Sequence, residues 1–205
     1  MIFFKVLQNY PSSDVRHKIT YLSAVALILS YLAVPFLVMQ NSLILLDPLF
    51  LPILLLVPVF LWISFVDFRK YIIPDWCNIA VLVLSLIYFL SVDVFYLSSH
   101  FFGALMAFVI SFAVRQIFIY LRDKEVLGFG DVKLFSACGF LLGYEGVPSA
   151  ILLSSVIGLM LLLVRKIFQK KINTQISVLA FGPCICFGTW VVWWTGPVRF
   201  CLGCE

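Results

Sequence analysis

Long apolar runs separated by short polar connections limit this 205-residue chain to one kind of fold. The runs cover approximately residues 19–39, 43–66, 76–97, 99–121, 132–144, 148–164 and 176–195. A helix needs roughly 20 predominantly apolar residues to cross a bilayer, and the fifth run, 132–144, is the one most clearly too short. Hydrophobic residues make up 63% of the chain and charged residues only 12%, whereas soluble domains contain about 45–50% and about 25%. We therefore predict an all-α polytopic membrane protein with about seven membrane helices.

The basic residues predict how these helices are oriented. With a cytoplasmic N-terminus and seven crossings, the inside segments hold Lys5, Arg16, Lys18, Arg69, Lys70, Arg122, Lys124, Arg165, Lys166, Lys170 and Lys171. The outside segments hold only Arg199, as the positive-inside rule expects. We predict a cytoplasmic segment over 1–18, a membrane domain over 19–196 and an external tail over 197–205.

The net charge of +4 raises the question of a nucleic-acid partner. The basic residues lie between apolar runs and do not form one continuous face, which favours contact with anionic lipid headgroups. We expect the lipid bilayer as a partner and no nucleic acid.

Two aspartates lie where apolar runs meet the inner boundary of the membrane. Asp67 follows the second run, and Asp131 precedes the fifth, 64 residues later (131 − 67). Two intervening helices return the chain to the same depth, so the two carboxyl groups can meet there. Paired carboxylates share a proton and supply both the base and the acid that peptide hydrolysis needs. Asp67 and Asp131 are therefore the candidate catalytic residues.

Glycines flank Phe129 just before the second of these aspartates. Gly128 and Gly130 leave the backbone free to take positive φ and let an extended substrate approach closely. An alternative is that Asp67 and Asp131 are ordinary boundary charges paired with Arg69 and Lys133. The residue pattern alone leaves that alternative open.

Three segments together resemble a known family. Gly128-Phe129-Gly130-Asp131 resembles the Gly-x-Gly-Asp motif of the type IV prepilin peptidases. Asp67, followed seven residues later by Pro74, resembles the family's other aspartate segment. Phe181-Gly182-Pro183 resembles a third recurring stretch, and the three occur in the family's order over roughly residues 54–194.

The resemblance implies an intramembrane aspartic endopeptidase of the bacterial inner membrane that needs no cofactor or metal. Asp67 and Asp131 would be the catalytic pair, with Gly128, Gly130 and Lys133 on the substrate-binding side. The substrate would be a prepilin or pseudopilin with a basic leader followed by an apolar helix. Bifunctional members carry a cysteine-rich cytoplasmic insertion after the first helix, whereas here the second apolar run follows almost at once. N-methyltransferase activity is therefore not implied.

Other functions remain open from the residues alone. Asp67, Asp75 and Asp131 could hold Mg²⁺ in a membrane phosphotransferase, although Asp75 is also placed to cap the next helix. A transporter or assembly scaffold is a third possibility. Cys201 and Cys204, at the predicted external end, are better explained by a disulfide or by no particular role than by a redox or metal site.

Overall fold

The computed structural model describes residues 31, 33, 51–92, 95, 97–122, 127–168 and 180–196. Five helices account for most of these residues: α1 Leu51–Lys70, α2 Asp75–Val92, α3 Leu97–Arg122, α4 Phe129–Phe168 and α5 Gly182–Thr195. The prediction of an all-α protein is confirmed for this part of the chain. The predicted segments 1–18 and 197–205 lie outside the described residues, and so do Cys201 and Cys204. So does the first apolar run, apart from Tyr31 and Ala33.

Three of the described helices are long and apolar enough to cross a bilayer. These stretches are Pro52–Lys70, Leu97–Leu121 and Phe129–Leu163, while α2 is a shorter apolar helix. Many large apolar side chains on them are exposed, including Trp62, Leu105 and Met160. A surface of this kind is stable against lipid tails, so the membrane class is confirmed. The predicted count of seven helices is not confirmed.

Two helix boundaries differ from the prediction. Helix α1 continues to Lys70, four residues past the end of the apolar run at residue 66, and Asp67 lies in its last turns, at the end of a helix as predicted. Arg69 and Lys70 favour this extension because cations stabilise the C-terminal end of a helix. Helix α5 begins at Gly182, six residues later than residue 176. Pro183 fits that start because a proline in the first turn loses no helical hydrogen bond.

A break inside α4 replaces the predicted loop between the fifth and sixth runs. Gly143 has φ 70° and ψ 173°, a conformation that L side chains rarely adopt, and the residues on either side of it are helical. The chain therefore turns at Gly143, just before the connection predicted between Tyr144 and Pro148. The break leaves backbone carbonyl groups inside the bundle without helical partners. The His100 ring Nδ1 lies 2.9 Å from one of them, the carbonyl oxygen of Phe140.

The two halves of α4 run in opposite directions. Residues 129–142 run away from Asp131 along α3, and the Ser136 hydroxyl donates to the Ala104 carbonyl at 3.1 Å. Beyond the break, Gly146 lies near Val192, and Ser154 packs against Gly188, closer to the start of α5. The second half of α4 therefore returns along α5 towards the end of the bundle that holds Asp131.

An aromatic cluster joins the helices in the interior. The Tyr31 ring packs against Phe60, Phe187 and Trp190, with ring centroids 5.7–6.4 Å apart. The Trp190 indole N–H also donates to the Tyr31 carbonyl at 3.0 Å. These contacts fix α5 against α1, which matters because the first turn of α5 reaches the candidate site.

Candidate active site

A cavity of about 470 Å³ opens where α1 ends and where α2 and α4 begin. Its lining residues are Asp67, Tyr71, Ile72, Ile73, Pro74, Asp75, Gly128, Phe129, Gly130, Asp131 and Lys133. All five residues that the sequence predicts for the site are among them. The rest come mainly from the connection between α1 and α2.

The structure brings the two aspartates together. Asp67 comes from the last turns of α1 and is 5% exposed, and Asp131 comes from the first turn of α4. Both carboxyl groups line the cavity and lie close enough for their charges to repel each other. A pair of this kind carries one shared proton more readily than two negative charges. The arrangement therefore provides a base and an acid side by side.

The first turn of α5 supplies a direct contact to one of these carboxyl groups. The Gly182 N–H donates a hydrogen bond of 2.8 Å to Asp67 Oδ2. A Cβ at position 182 would lie 2.8 Å from the same oxygen, so a side chain there would displace the carboxyl group. The Phe181-Gly182-Pro183 motif signalled this segment, but a backbone donor has no sequence signature of its own.

Gly128 and Gly130 contribute in a different way from the one predicted. Positive φ among the described glycines occurs at Gly143 and Gly196 only, so neither Gly128 nor Gly130 uses its freedom to take positive φ. Close approach explains them instead. A Cβ at Gly130 would lie 3.3 Å from the Ile73 Cβ, and one at Gly128 would lie 3.1 Å from Asp131 Oδ2. The two glycines let the start of α4 pack against the α1–α2 connection and leave room for the Asp131 carboxyl group.

Lys133 has a different partner from the one in the boundary-charge alternative. Its Nζ lies 2.8 Å from Asp75 Oδ1, and both side chains are at the cavity rim. Asp75 is the first residue of α2, where its charge favours the helix N-terminus, as predicted. Arg69 lies over the Phe65 ring, 4.5 Å from its centroid. Lys133 and Arg69 thus contact Asp75 and Phe65, and not the aspartates with which the boundary-charge alternative pairs them.

The proposed magnesium alternative depends on three carboxylates converging. Asp75 is directed at Lys133, whereas Asp67 accepts the Gly182 N–H. Within the described ranges, no three His, Cys, Asp or Glu side chains are grouped as metal ligands would be. The geometry therefore favours a two-carboxylate site over a three-carboxylate metal site.

Several buried thiols lie near the site. Cys77, Cys138, Cys184 and Cys186 are free and buried. This agrees with interpreting them as small apolar side chains. Cys184 lies within electrostatic range of both aspartates, which sequence reasoning did not anticipate. It therefore forms part of the apolar surroundings of the pair.

Comparison with known proteins defines the class to which this fold and site belong. Residues 54–163, more than half of the chain, match the type IV leader peptidase family. This chain belongs to that family. The matched range includes Asp67, Asp131 and every other residue that lines the cavity.

Individual relatives carry a more specific name. The chain is 30% identical over 155 residues to a prepilin leader peptidase/N-methyltransferase of Aeromonas hydrophila, covering 73% of this chain and 51% of that protein. A protein of the same name in Pectobacterium carotovorum is 29% identical, over 66% of this chain and 48% of its own length. The Escherichia coli K12 relative is 28% identical, over 64% and 57%. The chain thus spans about half the length of these relatives. No solved structure matches it significantly.

Proposed function

We propose that this chain is an intramembrane aspartic endopeptidase that removes the leader peptide from type IV prepilins or pseudopilins. Family membership and the relatives' name support this activity. The observation that carries it is the cavity in which Asp67 and Asp131 meet. Asp67 and Asp131 are the catalytic pair, Gly128 and Gly130 shape the substrate side, and Lys133 forms part of the entrance.

Each aspartate accepts a backbone hydrogen bond, Asp67 from Gly182 and Asp131 from Gly128. Gly182 is the first residue of α5, so its N–H belongs to the unpaired donors at a helix N-terminus. Such a donor favours a negatively charged acceptor. We assign the role of ionised base to Asp67, which accepts the hydrogen bond from Gly182, and the role of proton donor to Asp131.

Peptide hydrolysis follows from these assignments. Asp67 removes a proton from a water molecule whose oxygen attacks the scissile carbonyl carbon, while Asp131 donates its proton to the carbonyl oxygen. In the second step, the tetrahedral intermediate returns a hydroxyl proton to Asp131, and Asp67 delivers its proton to the amide nitrogen. The C–N bond then breaks, and both aspartates recover their starting states.

The bilayer would orient the substrate for this reaction. An apolar helix following the leader enters the membrane, which holds the scissile bond near the boundary where the dyad lies. Holding the reacting groups in place accounts for a large part of enzymatic rate enhancement. The enzyme would lie in the bacterial inner membrane with seven crossings over 19–196, a cytoplasmic N-terminus and its dyad on the cytoplasmic side. Reporter fusions after Lys70 and after Thr195 test this topology, which predicts opposite sides for them.

Co-expression with a type IV prepilin that retains its leader tests the activity. Wild type, Asp67→Asn and Asp131→Asn are compared by the mass of the pilin at matched enzyme levels. Loss of a catalytic acid or base costs about 10²–10⁴-fold in rate, so both variants should leave the leader attached. Glu145→Gln is the matched control, because Glu145 is an exposed carboxylate beside the break in α4, away from the cavity.

Three outcomes would contradict the proposal. Processing that persists in both aspartate variants would show that the pair is not catalytic. Loss of activity in membranes treated with a chelator would instead favour the metal-dependent alternative. A transporter or scaffold would show no leader removal with any variant.

A further inference from the structure

Tyr71, the first residue after α1, has an unusual backbone conformation. Its φ is 55°, and it is the one described residue other than glycine with a positive φ. Its N–H donates to the Asp67 carbonyl at 2.9 Å, which closes the helix that carries the catalytic carboxyl group. Glycine is the usual residue at such a helix end because a Cβ is strained in the left-handed region.

Burial of the side chain does not offset this strain. Tyr71 is 39% exposed, and its side chain lines the catalytic cavity. Within the described part of the chain, its hydroxyl has no hydrogen-bond partner and its ring contacts no other aromatic ring. A residue other than glycine held in this strained conformation is typical of a functional site.

Two further apolar side chains accompany Tyr71 at the cavity. Ile72 is 64% exposed and Phe129 is 44% exposed, and both line the same space as the aspartates. We name Tyr71, Ile72 and Phe129 the apolar lip. The rest of the rim carries the Asp75–Lys133 ion pair, so the cavity presents both an apolar and a charged surface to a peptide.

We propose that Tyr71 is a specificity-determining residue whose ring packs, with the rest of the apolar lip, against an apolar substrate side chain next to the scissile bond. The left-handed backbone sets the direction in which the side chain leaves α1, and Tyr71 lines the same cavity as Asp67. This inference depends on the peptidase activity proposed above, and it names the substrate feature that the same site selects.

Two variants separate the effect of the aromatic ring from the effect of the backbone strain. Tyr71→Gly removes the ring and relieves the left-handed strain, whereas Tyr71→Phe keeps the ring. The purified full chain in detergent is assayed on peptides that span the leader and first apolar residues of a type IV prepilin. Two residues flank the scissile bond. The peptides change one of these positions at a time, to leucine in one peptide and to aspartate in another. Thermal unfolding of each variant is measured in the same buffer.

We expect Tyr71→Gly to unfold at or above the wild-type temperature, because glycine is unstrained at this position. Its KM for the leucine peptides should rise at least roughly tenfold, the low end for a lost apolar contact in a binding pocket. Its preference for leucine over aspartate should fall, while kcat changes less. Tyr71→Phe should restore most of the affinity that Tyr71→Gly loses.

Tyr120→Ala is the matched control, because Tyr120 is an aromatic residue, 89% exposed, near the end of α3 and outside the cavity lining. It should leave KM and the leucine preference unchanged. Unchanged KM in Tyr71→Gly would overturn the inference, and so would a lower unfolding temperature, which would show that the ring is structural. Failure of the proposed peptidase activity is distinguishable, since wild type would then cleave none of the peptides.

Discussion

The cavity and the break in α4 both depend on glycine, but the two regions use it for different purposes. At the cavity, Gly182 lies against a carboxylate oxygen of Asp67. Near the break, a Cβ at Gly139 would lie 2.6 Å from both the Ala107 Cβ and the Gly103 carbonyl oxygen. Glycine thus makes room for a proposed catalytic carboxyl group in one region and for close helix packing in the other. Substitutions should therefore affect activity in the first region and stability in the second.

Gly182→Ala should show the largest difference between its effect on activity and its effect on stability. The added methyl group would meet Asp67 Oδ2 at 2.8 Å and its Cγ at 3.2 Å, so the carboxyl group must move. Displacing a catalytic group by about 1 Å can cost about 10²-fold in rate. Leader cleavage by purified protein should fall by that order while the thermal unfolding temperature stays close to wild type. A variant that cleaves normally would show that the contact with Gly182 does not position the base.

Gly139→Ala should show the converse behaviour. Its methyl group would meet the backbone of α3, and overpacking of this kind typically costs about 1–3 kcal/mol. The unfolding temperature should fall, while the cleavage rate per folded molecule should remain near wild type. Loss of activity without loss of stability would contradict the division between the two regions.

Gly128→Ala tests whether the space around the Asp131 carboxyl group matters as much for activity as the space around Asp67. The new Cβ would lie 3.1 Å from Asp131 Oδ2, a looser contact than at Gly182. We expect an intermediate decrease in kcat, smaller than that of Gly182→Ala, with normal thermal unfolding. Steady-state kinetics on the same prepilin peptide would rank the two variants, and the reverse order would contradict the geometry.

The smallest effect is expected from the ion pair at the rim. Lys133 and Asp75 are joined at 2.8 Å, but their side chains are 39% and 66% exposed. Exposed pairs contribute about 0–1 kcal/mol, so Lys133→Met and Asp75→Asn should each change stability only slightly. Thermal unfolding of both single variants and the double variant gives the coupling between them. A coupling well above 1 kcal/mol, the top of that approximate range, would mean that the pair is a structural link between α2 and α4.

Hydropathy could locate most helices because the bilayer requires long apolar runs. It ended the fifth run at residue 144, next to the break at Gly143, but it could not show that one residue with φ 70° makes this turn. The start of α5 was also misplaced, because residues 176–181 are as apolar as the helix that follows. Local backbone geometry decides both features.

The candidate site was predictable to the extent that it depends on charged side chains at matched depth. Asp67 and Asp131 were found in this way. The Gly182 N–H was not, because every residue except proline carries the same donor. The partner of Lys133 was assigned differently because Asp75 comes from another helix, and only the fold brings it within 2.8 Å.

The central claim is that Asp67 and Asp131 act as one unit, and a double-mutant comparison of leader cleavage tests it most directly. Rates are measured for Asp67→Asn, Asp131→Asn and the variant carrying both, in purified protein with matched thermal stability. Groups that act together in one step are strongly non-additive. The account predicts that the double variant is no slower than either single one. Losses that multiply in the double variant would contradict a shared acid–base pair.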